Sequence, residues 1–353
     1  MDTEVLISVG PHKASSTLVV FDPVTRTPID GARFANTTAG YRDLVRFAHR
    51  WRQRRWAIEG CHGAGRSLAQ RLVADGERVV DVPAKLAARV RVISTGHGRK
   101  TDHDDAISIG FAALDATGLH EVALDDATVT LGLLSDRRQE LVALRTQAVC
   151  RLHRLLAELT PGGVSGELSA TKAVAVLARL RPGDEPGRIR RQLAKEHLAD
   201  IRTLDRRIKA IGVQIAAVVT ATGTSLVDIF GVGPVLAARI LAEVGDVTRF
   251  PDKDHFASYN GTAPIDASSG EQQRHRLSRA GNRRINHALH MIAVTQLRNH
   301  TSTGRAYYDR KLADGKTRKE ALRCLRRRLS DVVFRQLTDD HQRLETLPLA
   351  TTA

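Results

Sequence analysis

The apolar residues of the first third come in short runs broken by polar turns. Val5 to Val9 and Thr17 to Phe21 are β-branched or aliphatic stretches of strand length, joined by the polar segment PHKASS. Runs of this kind predict strands. A third strand is expected near Ala32 to Phe34, a helix over Tyr41 to Trp51 and a strand over Arg55 to Glu59. A helix at Ser67 to Ala74 leads into the run Val79 to Val82, and Trp51 and Trp56 read as core residues. Strands and helices interleaved in this order predict an α/β domain on a mixed sheet, assigned to residues 1–125.

From about Leu134 the period lengthens. Leu141, Leu144, Ala148, Leu152, Leu155 and Leu159 recur at steps of three and four, marking one face of a helix. The segment TPGG, Thr160 to Gly163, breaks it. A second stripe then runs through Leu193, His197, Ile201, Leu204, Ile208, Ile211 and Ile215. Two long helices with a helical insert predict a coiled-coil arm over residues 126–220, or else an ordinary helical-bundle core.

The remaining segment, residues 221–345, reads as mostly helical. IFGVGPVLAARILAEVG places a turn, Gly231 to Gly233, between a short apolar helix and a longer one. That is the pattern of a helix-hairpin-helix, whose turn amides can hold a DNA phosphate. Asn282 is placed to cap a helix bearing Ile285, Leu289 and Ile292. Thr317 with Glu320 makes a capping box ahead of Leu322, Leu325, Leu329 and Val332. The tail TLPLATTA, residues 346–353, is expected to be disordered.

Charge narrows the partners. The 353 residues carry 54 Lys and Arg against 39 Asp and Glu, a formal net charge of +15. Polyanions come first, nucleic acid ahead of membrane, although ribosomal and chaperone-like proteins share such a balance. Aromatic residues are only 4%, which argues against broad base-stacking platforms. Cys61, Cys150 and Cys324 form no CxxC pair, give no zinc site and suit a reducing cytosol. MDTEVLISVG lacks the features of a secretory signal, and no stretch approaches a membrane span in apolar length. A cytoplasmic, nucleoid-associated protein is expected.

Two groups of residues are candidates for chemistry. Glu59 closes the RWAIEG strand, and Asp102, Asp104 and Asp105 lie in GRKTDHDDA, which turns into a helix. Asp102 and Asp105 are three apart, on one face of a first helical turn. Carboxylates converging from a strand end and a helix start can supply hard oxygen ligands to Mg²⁺. Alternatively Asp102 simply caps the helix and Asp104 sits in solvent. Arg99 and Lys100 flank this loop and can hold a phosphate, with His12, His62 and His103 nearby in the expected fold. The second group is ASSG, Ala267 to Gly270, followed by Arg274, Arg276, Arg279, Arg283 and Arg284. A serine hydroxyl attacking a phosphodiester needs such cations to neutralise the phosphate. The plain alternative is a polar turn beside a solvated basic face. The basic run Arg323, Arg326, Arg327 and Arg328 cannot all lie on one helix face, so part of it is expected in solvent.

Several ordered words tie these groups together: the first strand with PHK, the Glu59 strand with GCHGAGRSLAQRL, VVDVPAKLA, GRKTDHDDA, FGVGPVLAARILAEVGD, FASYNGTAPIDASSG and LSRAGNRRINHAL. In this order the chain closely resembles the IS-one-ten family of insertion-sequence transposases, the DEDD transposases, described as bridge-RNA-guided recombinases. The resemblance implies a RuvC-like (ribonuclease-H-like) N-terminal domain with an acidic tetrad, a Mg²⁺ cofactor and a C-terminal domain whose serine attacks DNA. The tetrad maps onto the end of the first strand, Glu59, Asp102 and Asp105. The serine directly before the motif's glycine is Ser269, with Ser268 the nearer alternative. Lys13 of the same first-strand word is expected to contact nucleic acid. DNA ends and target, a structured noncoding guide RNA, and a second or fourth copy of the chain (a homodimer or homotetramer) are the implied partners. One position departs. Members read I-x-x-D-x-x-K, whereas this chain reads ISVGPHK, so Gly10 stands where the first aspartate belongs. The reading is therefore a recombinase with a weakened metal site, and the alternative is a catalytically silent DNA- or RNA-binding protein.

Overall fold

The computed structural model describes residues 4–95, 101–161, 169–266, 275–276 and 280–346. The chain divides into two compact units, residues 1–125 and 126–353. In the first, β1 (Val5–Pro11), β2 (Ser15–Asp22) and β3 (Thr27–Ala35) form an antiparallel meander, followed by α1 (Thr38–Ala48). Then come β4 (Arg54–Glu59), α2 (Arg66–Ala74), β5 (Val79–Val82), α3 (Ala84–Thr95), α4 (Asp102–Asp115) and β6 (His120–Glu121). The sheet order is β3-β2-β1-β4-β5-β6, with β4 and β5 parallel to β1 and the two edges antiparallel. The mixed α/β sheet expected from the alternating runs is present, with each element within a few residues of its predicted place.

Period-two alternation divides the sheet into two buried faces. Val5, Ile7, Val9, Trp56 and Ile58 pack with Tyr41 and Leu44 of α1 and Ala69 and Leu72 of α2. Leu6, Ala57, Val80 and Val82 point the other way, onto Ala106 and Ile109 of α4. Trp56 is fully buried and its indole N–H donates to Glu77 at 2.8 Å. Trp51 is half-buried at the edge of the same core.

The second unit opens with α5 (Ala127–Leu159), α6 (Ala170–Arg179) and α7 (Glu185–Ala221). Leu131 near the start of α5 shares a core with Ile215 and Val219 near the end of α7. Leu152, Leu155 and Leu156 near the end of α5 share another with Ala194, Leu198 and Ile201. The two helices are therefore antiparallel, and an Arg145–Asp205 bridge at 2.5 Å ties their middles. The predicted stripe is displaced in two places. Leu193 and Leu144 are exposed, because Ala194 and Leu198 carry the α7 side of the seam.

Beyond α7 lie a 3-10 turn at Ser225–Asp228, α8 (Pro234–Val244), α9 (Lys253–Tyr259), β7 (Ile265–Asp266), β8 (His275–Arg276), α10 (Arg283–Arg298), α11 (Thr303–Ala313) and α12 (Arg318–Thr346). Their core gathers Ala237, Ile240, Phe256, Ile285, Leu289, Ile292, Leu325 and Val333. Both predicted caps form. Asn282 Oδ1 accepts from the Arg284 and Ile285 amides, and Thr317 and Glu320 make the reciprocal box. One prediction needs correcting: the short helix expected before Gly231 is only a four-residue 3-10 turn. Among the described residues no helix is long and apolar enough to cross a membrane.

Candidate functional site

The acidic candidates of the first unit lie on elements that end or begin at one end of its sheet. β1 and β4 run parallel with Val9 opposite Ile58, so Gly10 and Glu59 stand level one residue further on. Both share parity with Leu6 and Ala57, the face that α4 covers. Ser8, two residues before Gly10, is buried there and donates to the Ala106 carbonyl at 2.7 Å. A Cβ built on Gly10 would stand 3.6 Å from the Ala106 nitrogen and 3.7 Å from the Asp102 carbonyl oxygen, ordinary contact distances. Position 10 therefore faces the first turn of α4, whose residues include Asp102 and Asp105.

The helix is not capped as the plain reading supposed. Thr101 is the N-cap, its hydroxyl accepting from the Asp104 amide, and Asp102 is free of that duty. Asp104 is half-buried rather than in solvent, its carboxylate accepting from the Thr101 hydroxyl at 2.7 Å. Asp102, 39% exposed, lies 3.1 Å from the Arg33 guanidinium and 3.3 Å from His12 Nε2. Asp105 is buried and takes a 2.5 Å bond from Arg91 of α3. Arg33 and Arg91 come from β3 and α3, and no local pattern links those elements to the acidic loop; His12 lies near it as expected. His62 points to Asp81 instead, at 3.9 Å, and His103 is exposed. Arg99 and Lys100 lie outside the described residues.

In the second unit, Gly231 has φ of +92°, a conformation that favours glycine, and its Cα side packs against Thr295 and Ile292 of α10. Gln296 of α10 donates to the Phe230 carbonyl at 2.8 Å and so fixes the turn. Gly233 is the N-cap residue of α8, with Pro234 in the first turn. β7 and β8 pair antiparallel, Ile265 with Arg276, and the chain between them carries the ASSG word. Ser268, Ser269, Arg274 and Arg279 lie outside the described residues, as does the side chain of Arg276.

The arginines after the motif have separate roles. Arg284 is held between Asp136 at 2.8 Å and Glu243 at 2.9 Å, and the Glu243 bond holds its pKa above the usual guanidinium value. That makes Arg284 a structural tie rather than a solvated cation. Arg283 is exposed on the α10 entry and lies close enough to Arg326 of α12 to depress it, after burial, which is the larger cause. Arg326 donates to the Asn286 side chain, while its Nε is buried with no partner. His287 and His290 follow Arg283 at four- and seven-residue spacing. Burial, then Arg326, then His287 lower the His290 pKa. Part of the basic run on α12 is in solvent, as expected, with Arg323 and Arg328 exposed. Arg327 bridges Asp254 and Asp331, and Arg328 lies over the Tyr307 ring.

Comparison with known proteins matches residues 11–161 to the IS110 DEDD transposase model and residues 223–309 to the model described as Transposase IS116/IS110/IS902 family. A protein of insertion element IS116 from Streptomyces clavuligerus is 28% identical, covering 90% of this chain and 91% of its own. A protein of insertion element IS900 from Mycobacterium paratuberculosis is also 28% identical, covering 80% and 82%. The chain belongs to the IS116/IS110/IS902 transposase family. The first match takes in Glu59, Asp102 and Asp105 and starts one residue after Gly10; the second takes in Ser268 and Ser269. A Thermus thermophilus RuvC chain, solved in complex with a Holliday junction substrate, is similar over 34% of this chain and 99% of its own, at 15% identity and a TM-score of 0.28. That likeness is too slight to bear on the argument.

The divalent metal that transposases of this resemblance would carry does not fit the residues as they stand. Among the described residues no three His, Cys, Asp or Glu side chains gather closely enough to hold an ion. Position 10 has no ligand to give, and Asp102 and Asp105 each accept from a protein cation. The Cys61 thiol is no substitute, because burial and then the Asp81 carboxylate push its pKa up.

Proposed function

We propose that this transposase cuts and rejoins DNA through the hydroxyl of Ser269. The observation that supports this most directly is the family match spanning the ASSG word, with a cation-bearing helix entry directly after it. In the proposed step the Ser269 oxygen bonds to phosphorus as the bond to the deoxyribose 3′-oxygen breaks. The serine proton ends on that leaving oxygen, and the strand's 5′-phosphate stays on the enzyme as a phosphoserine. Attack by a different 3′-hydroxyl reverses the step on a new partner, so bond energy is kept for rejoining. Arg283, with Arg274, Arg276 and Arg279 of the same basic stretch, would neutralise the phosphate. The Gly231–Gly233 turn would hold a second phosphate as a helix-hairpin-helix does. Its glycine amides make no hydrogen bond within the chain among the described residues. A structured RNA of the element would choose the DNA, and α5 with α7 would act as a coiled-coil arm between copies.

A specific observation favours a second reading, that this copy binds nucleic acid without cutting it. Gly10 removes one carboxylate, while Arg33 already pairs with Asp102 and Arg91 with Asp105. Recombination of a donor–target plasmid pair carrying the native flanking DNA separates the two. The proposed function predicts junction products that disappear with Ser269→Ala. No products from the starting chain, but products from Gly10→Asp, would establish the silent reading instead.

A further inference from the structure

The first unit holds a cleft of about 320 Å³ beside the acidic end of the sheet, lined by the β1–β2 turn, the entry to α1 and the start of α2. None of its lining residues is acidic. Lys13 enters from the turn, Thr37 from the α1 cap, and Ser67 and Arg71 from α2. Spacing alone puts Ser67 and Arg71 on one side of that helix, four residues apart. The Arg71 guanidinium lies 3.7 Å over the Tyr41 ring, which fixes it without using its N–H donors. Its neighbour Asp75 is occupied by the Tyr41 hydroxyl at 2.6 Å. Among the described residues Lys13, Ser67 and Arg71 make no side-chain hydrogen bond or ion pair. His12, also on the wall, reaches Asp102 at 3.3 Å and so links the cleft to one of the acidic candidates.

Two fixed or tethered cations and a hydroxyl, with unspent donors and no carboxylate among them, are complementary to a tetrahedral dianion or monoanion. We propose that this cleft binds a backbone phosphate of a nucleic-acid strand and so leads that strand past the acidic end of the sheet. The inference rests on the reading of the chain as a nucleic-acid enzyme and adds to it a contact site, Lys13–Ser67–Arg71, in which Ser67 and Arg71 had no assigned role. Volume is consistent with one nucleotide unit, since pockets for small ligands start near about 300 Å³.

The test is fluorescence anisotropy of the full chain on a labelled single-stranded DNA and on RNA of the same sequence, across a KCl series. Arg71→Gln and Lys13→Gln should each weaken binding by roughly three- to tenfold and lower the salt slope by about 0.7, the value for one phosphate on a single strand. Ser67→Trp fills the cleft without changing charge and should weaken binding comparably. Arg52→Gln, an exposed cation outside the cleft, should change affinity less than any of these. Loss confined to the DNA or to the RNA arm identifies which strand the cleft holds. Equal losses for Arg52→Gln and Arg71→Gln, with Ser67→Trp unchanged, would mean diffuse attraction and overturn the cleft. No binding by the starting chain to either strand would overturn the underlying reading as well. Circular dichroism melts of each variant keep folding separate from binding; Ser67 is exposed, so its replacement leaves the core intact.

Discussion

Position 10 decides what the acidic end of the sheet can hold. Its backbone faces the start of α4, and a Cβ there meets its neighbours at ordinary contact distances, so Gly10→Asp should fold as the starting chain does. Isothermal titration should then show Mg²⁺ binding in Gly10→Asp that the starting chain and Gly10→Ala lack; equal binding in all three would mean that the remaining carboxylates suffice. That Glu59 closes a strand and that Asp102 and Asp105 open a helix was legible from the sequence, because strand and helix patterning are local rules; their joint role as a site came from the family resemblance. The pairing of Asp105 with Arg91 was not legible, since α3 and α4 meet only through tertiary packing. His290 gives a second residue-scale expectation. Its pKa is held below the ordinary imidazole value of about 6.5. The unfolded chain therefore takes up the proton first, and stability falls as pH drops from about 6.5 through the lower folded value. His290→Asn should flatten the thermal midpoint between about pH 7 and about pH 5; an unchanged slope would show that other groups dominate.

At the scale of elements, caps and turns carried most of the information. Asn282 satisfies two orphan amides of α10 and donates from its other side-chain atom to Glu243 at 2.6 Å. Asn282→Ala should cost roughly 1–2 kcal/mol in urea unfolding, and Asn282→Asp less, because the capping oxygen survives. A cost near zero would show that the α10 entry is held by its arginine ties instead. The Asn282 and Thr317 caps were readable because a cap is a contact between residues three apart. The α7 stripe was readable in period but not in phase. Leu193 and Ala194 fit the same helical spacing, and only the shape of the opposing α5 surface selects the smaller side chain for the seam. The 3-10 turn before Gly231 escaped for a related reason. An apolar run of that length fits a helical turn or a full short helix equally well.

At the scale of the whole chain, the excess of 15 positive charges is distributed unevenly in its uses. Arg54, Arg145, Arg284 and Arg327 are tied to carboxylates, and these hold structure rather than ligand. Lys13, Arg71 and Arg283 have no such tie among the described residues, which is why net charge named the partner class but not the contact residues. The division into a sheet-bearing unit and a helical unit was visible in the change of apolar period near Leu134. The chemistry assigned to the second unit came from ordered words rather than from any physical pattern in ASSG, which as a bare tetrapeptide is a polar turn. That assignment is tested most directly by trapping the reaction on DNA bearing the element's ends, denaturing the mixture and measuring protein covalently attached to the strand. Ser269 as nucleophile predicts an adduct at the 5′-phosphate that survives denaturant and is abolished by Ser269→Ala but not by Ser268→Ala. An adduct that persists in Ser269→Ala, or none from the starting chain and from Gly10→Asp alike, would contradict it.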